Sequence, residues 1–90
     1  MKQQVQQPAT AEEEVRSQLS AVISEQVIHI LGQPDLLQRV QVRHLWTDHF
    51  RVNVLTGADA ASAKVAHSYF LMVADNGNII TSAPTITKQY

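Results

Sequence analysis

The sequence predicts an α+β fold, in which one N-terminal helix packs across a four-stranded antiparallel meander as a two-layer sandwich. Three observations predict it. A single stretch, Val15 to Leu31, carries apolar residues at helical spacing between clear start and stop signals. After Pro34 the period changes to two, the alternation of half-buried strands. Finally, Asn76-Gly77 sits between two apolar runs, and Asn-Gly is the strongest short hairpin signal because a type I′ turn needs φ > 0 at both central residues.

The helix is expected from Ala11 to Leu31. Thr10-Ala-Glu-Glu13 fits a capping box, and Glu12, Glu13 and Glu14 sit where the helix dipole favours negative charge. Val15, Leu19, Val22, Ile23, Val27, Ile30 and Leu31 then form one broad stripe. Ile28 falls off that stripe, in a position to touch a second subunit. Gly32 suits the residue just past the helix, and Pro34 forbids continuation. Residues 1–9, with several Gln and a Pro, read as a flexible Gln-rich tail, and residues 10–90 as a single α+β domain.

Two strands are expected next, Arg39 to Trp46 and His49 to Thr56. Face matching selects their register. A two-residue loop at Thr47-Asp48 sets Trp46 against His49 and His44 against Arg51, apolar against polar. A three-residue loop pairs Trp46 with Phe50, His44 with Val52 and Val42 with Val54, and this register is the expected one. The first hairpin is then apolar towards the helix and presents Arg43, Arg51 and Asn53 to solvent.

The second hairpin does not sort its residues in this way. Its strands are expected over Ser68 to Asp75, starting as early as Ala63, and Asn78 to Thr87. A helical turn is an alternative for Ala60 to Ala66. Pairing Asp75 with Asn78 places Phe70, Met72, Ala74, Ile79, Thr81 and Ala83 on one face and Tyr69, Leu71, Val73, Ile80, Ser82 and Pro84 on the other. Both faces are largely apolar, while one helix covers one face of a sheet. The strand face in line with Lys64 is the better solvent or partner side, so Tyr69, Leu71 and Val73 are expected under the helix. Pro84 marks the last strand as an edge. The order helix then four strands resembles the cystatin-like arrangement in layout alone, with no shared motif, and layout does not carry function.

Composition narrows the function classes. The chain has 90 residues, no Cys and a net charge of −1. A domain this small buries only about 60–65% of its unfolded surface, so oligomerisation is a natural source of added stability. The absence of Cys excludes disulfides, thiolate metal sites and cysteine nucleophiles, and leans towards the cytoplasm. No apolar run approaches the ~20 residues of a membrane span, and Met1 to Thr10 lacks the apolar core of a secretory signal.

Four histidines, His29, His44, His49 and His67, are the chemical candidates. A metal needs three or four ligands meeting within about 2.0–2.2 Å of one point, and these spacings give no such set, so no metal or other cofactor is expected. His44, His67 and Tyr69 share the helix side and form a candidate ligand pocket. No nucleophile elbow, carboxylate pair or phosphate-binding glycine loop is present, which argues against an enzyme. The face of Arg43, His49, Arg51 and Asn53 is basic, but the expected register puts Trp46 and Phe50 on the opposite side. A nucleic-acid surface would interleave aromatics with such residues, so neither nucleic acid nor membrane is expected as a partner. The Phe70, Met72, Ala74, Ile79, Thr81 and Ala83 face is the candidate interface, with a homodimer or a protein partner as its occupant and, as the alternative, cover by the C-terminal tail or the Ala-rich 58–66 segment of the same chain.

Overall fold

The computed structural model describes residues 11–90, with side chains from residue 18 onward. The Gln-rich segment 1–9 and the capping box at Thr10 lie outside the described residues. Helix α1 runs Ala11–Leu31, and strands β1 (Leu37–Trp46), β2 (His49–Thr56), β3 (Lys64–Val73) and β4 (Ile79–Ala83) form one antiparallel sheet in the order β1-β2-β3-β4. This is the expected α+β arrangement, and the cystatin-like layout is compatible with it. A single 3₁₀ turn, Ala60–Ser62, joins β2 to β3 and is closed by Asp59, whose side chain accepts from the Ser62 N–H at 2.9 Å.

The helix meets the sheet along the row Leu19, Ile23, Val27, Leu31, residues four apart that stack on one side of an α-helix. The last three are fully buried. Ile28, off the expected stripe, packs partly buried against the core, while Val22 and Ile30 remain over a third exposed. The sheet contributes Phe50, Val52 and Val54 from β2 and Tyr69, Leu71 and Val73 from β3, so the helix covers the expected side. Gly32, at φ 93°, ends the helix as anticipated.

Four register shifts shape the sheet. In the first hairpin His44 pairs with Phe50 and Val42 with Val52, but Trp46 pairs with His49. Leu45 is therefore an extra residue and the loop is Thr47-Asp48, two residues rather than the expected three. A bulge inverts the alternation on its strand. It resolves the mismatch that argued against the short loop, because Trp46 turns to the outer face while His44 and Val42 stay on the inner one. Thr47 adopts φ 46°, a left-handed conformation that a β-branched residue tolerates poorly. Two further shifts fall at the far end of the sheet, between Leu37 and Arg39 in the β1–β2 pairing and between Val54 and Leu55 in the β2–β3 pairing.

The fourth lies in the second hairpin. Phe70 pairs with Ala83, Leu71 with Ser82 and Met72 with Thr81, the expected register, but Val73 then pairs with Ile79. Ile80 is the extra residue, and Ile79 moves to the inner face, where it packs on the core. The turn is not type I′. Gly77 N–H donates to Ala74 O at 2.9 Å and Ala74 N–H to Asn78 O at 2.8 Å. Gly77 has φ 93° and Asn76 does not share its positive φ, which makes a type I turn followed by a glycine bulge. Strand β4 ends at Ala83 rather than near Thr87. The segment after it crosses to the helix side, where Ile86 enters the core and the N–H groups of Gln89 and Tyr90 donate to Leu31 O at 2.8 and 3.1 Å.

Candidate functional site

The three proposed pocket residues do not come together. His67 and Tyr69 are neighbours on the inner face of β3, their rings parallel within 2° at 6.2 Å. His67 Nε2 is also 2.8 Å from the Tyr90 hydroxyl. Tyr69 is 5% exposed and belongs to the packed core. Its hydroxyl is pushed above 10.0, first by burial and then by the charge Tyr90 would carry when ionised. His44 sits two strands away and four residues along, roughly 16 Å from His67 by ordinary strand spacing. It stands edge-on to Phe50 and its Nε2 lies 2.9 Å from Thr47 O, closing the first hairpin loop. Two open grooves on the helix, one beside Ser24 and Ile28 and one beside Val22 and Asn78, share Glu25 and His29 and do not reach these residues. Among the described residues, no three His, Cys, Asp or Glu side chains gather where a metal ion would sit.

The outer face is different. Phe70, Met72 and Ala74 lie on it half-buried, and Thr81 and Ala83 are exposed. Ile79 has left this face and Trp46 has joined it, while His49 lies on it with Arg43 and Arg51 as expected. Trp46 stacks on His49 with centroids 5.0 Å apart and planes 24° apart. Phe70 completes the group, 5.8 Å from Trp46 and 5.5 Å from His49, so the centroids form a nearly equilateral triangle. Trp46 remains 55% exposed. His49 Nδ1 is 3.0 Å from Asp48 Oδ1 but out of line for a hydrogen bond, and this solvent-shielded nitrogen has no partner.

A polar row runs beside the rings. Arg51 Nη1 donates to Ser68 Oγ at 3.1 Å, Ser68 Oγ–H donates to Asn53 Oδ1 at 2.7 Å, and Asn53 Nδ2 donates to Gln41 Oε1 at 3.2 Å. Arg43 stands directly opposite Arg51. The four strands contain Arg39, Arg43, Arg51 and Lys64 and not one Asp or Glu. Among the described residues, no carboxylate lies within ion-pair distance of these cations.

Parity counting placed most of these residues correctly and missed Trp46, because a bulge leaves no mark in composition or alternation. The available signal was the poor face match of the two-residue loop, which an extra residue resolves as well as a longer loop does. Comparison with protein-family models, with curated proteins and with solved structures found no match.

Proposed function

We propose that this chain is a small non-enzymatic binding domain that engages its partner through the outer face of the sheet. The observation that carries the reading is the cluster of Trp46, His49 and Phe70, with more than half of the indole exposed on a face that neither α1 nor the 84–90 segment crosses. Large aromatic side chains grouped on a solvent-facing surface mark contact sites, and Met72 beside them adds an adaptable apolar group. A cytoplasmic setting accords with the cysteine-free chain.

A second copy is the first occupant to test, because symmetric pairs are the commonest assemblies. Face-to-face packing centred on β3 brings Phe70 and Met72 of both copies together and leaves the arginines of β1 and β2 towards the rim. Light scattering across a concentration series is the measurement. Phe70→Asp and Met72→Glu are expected to move the mass from dimer to monomer, with circular dichroism unchanged. A wild type that stays monomeric at high concentration rejects the homodimer. The pocket of His44, His67 and Tyr69 has less in its favour, since Tyr69 is packed and His44 stands apart.

A further inference from the structure

We infer that the outer face is a docking surface for single-stranded nucleic acid, with Trp46 stacking on a base and Arg43 and Arg51 meeting phosphates. The inference rests on the outer face being the contact surface and names what occupies it.

Charge supplies the first argument. Every charged residue on the four strands is a cation, while the acidic residues all fall in α1 or in turns. Arg43 and Arg51 are direct cross-strand partners, an arrangement that destabilises a sheet when nothing neutralises it. Among the described residues nothing does so. An anion bound between them removes that repulsion. Arg51 is also held in place: one nitrogen is tied to Ser68 Oγ, and the remaining N–H groups of its planar fork stay available for a phosphate.

Placement supplies the second argument. Arg43, Arg51 and Phe70 lie in one row across β1, β2 and β3, and Trp46, His49 and Met72 in the next. The two arginines thus lie one row from Trp46 and His49, with Phe70 ending the arginine row, which sets phosphate contacts beside stacking platforms as a single strand requires. The bulge at Leu45 brings Trp46 onto the face of Arg43 and Arg51, where the expected register leaves the first hairpin without a tryptophan or phenylalanine side chain. An acidic peptide satisfies the arginines equally well, and base stacking on the indole is what the titration uses to separate the two.

Trp46 is the only tryptophan in the chain, so its fluorescence reports directly on this surface. The experiment titrates the full chain at low salt with oligo(dT) and oligo(U) of about fifteen nucleotides, a length that spans a sheet-sized site. Trp46 emission is read together with the anisotropy of an end-labelled oligonucleotide. Saturable quenching is expected. Trp46→Phe tests ring size, and Trp46→Ala is expected to weaken binding roughly tenfold or more, the worth of one stacked base. Arg43→Gln and Arg51→Gln are each expected to lower the salt slope by about 0.7, one single-strand phosphate contact.

The two levels of the reading fail separately. If poly-glutamate quenches Trp46 and the oligonucleotides do not, the partner is an acidic protein: the nucleic-acid inference falls and the outer-face reading stands. The same holds if Trp46 emission shifts with protein concentration alone. If an oligonucleotide binds but Trp46 emission and all four variants are unaffected, or if no oligonucleotide binds, the nucleic-acid inference falls, and the light-scattering series alone decides the outer-face reading.

Discussion

At Tyr69 burial acts on an ionisable group. The hydroxyl titrates above 10.0, raised first by desolvation and then by Tyr90. The neutral form is therefore favoured in the folded state. Below pH 10 both states are protonated and the group's contribution to stability is fully present. As pH rises past 10 the unfolded chain releases its proton before the folded one does, and stability falls until the folded hydroxyl ionises too. Alkaline titration followed by tyrosinate absorbance is expected to show one tyrosine ionising late, and Tyr69→Phe to remove it and flatten the alkaline loss in urea midpoints. Tyr69 was legible in the sequence as a helix-side residue, since nothing interrupts parity between it and Val73. Trp46 was not, because Leu45 sits as an extra residue one position before it, and bulging is decided by how two strands and their loop fit together. Ile79 was misplaced for the same reason at Ile80.

Among the elements, α1 was the most legible, and its end points match the expected Ala11 to Leu31. Caps, an i+4 row and the Gly-x-Pro stop are local signals that tertiary structure had no reason to overturn. What its sequence does not show is how it grips the second hairpin. Gln26 lies off the apolar row, yet Nε2 donates to Gly77 O at 2.6 Å and Oε1 accepts from the Ile79 N–H at 3.1 Å. The side-chain amide thus pairs with the backbone at the start of β4, on the stretch that the bulge at Ile80 takes out of regular register. Beside it Gly77 packs so closely that a Cβ there would lie 2.9 Å from Val22 Cγ1. Gln26→Met keeps length and removes both bonds. The expected cost is about 1–3 kcal/mol for two part-buried backbone groups left unpaired. Hydrogen exchange at the Ile79 amide is expected to accelerate well beyond that at Leu71, which would mark β4 as the first strand to open. Equal acceleration at both amides would mean that Gln26 holds the whole sheet.

Across the whole molecule, one layer of side chains between α1 and the inner sheet face forms the core, and the 84–90 segment closes it. Strand β4 is short, and beyond it Ile86 joins the core cluster that holds Leu71 and Val73. The Ile86 N–H donates to Ser82 Oγ at 3.2 Å and its side chain is 7% exposed, whereas Ile80 is 56% exposed. Sequence gives no ranking of these two isoleucines, because each sits in a short polar-and-apolar run and the path after Pro84 depends on which face the chain crosses. The structure ranks them sharply. Ile86→Ala is expected to lower unfolding free energy by about 2–4 kcal/mol through lost burial and a residual cavity. That is a large share of the roughly 5–10 kcal/mol such a small domain has. Ile80→Ala is expected to change it by less than about 0.5 kcal/mol. Urea denaturation of both variants checks the pair. The comparison also bears on the binding face. A segment folded over the outer side would bury its isoleucine against Phe70 and Met72, and Trp46→Ala would then share in the loss. A segment folded inward leaves Trp46→Ala nearly neutral for stability while Ile86→Ala is costly, and among the described residues the cationic, aromatic side of the sheet then stays uncovered.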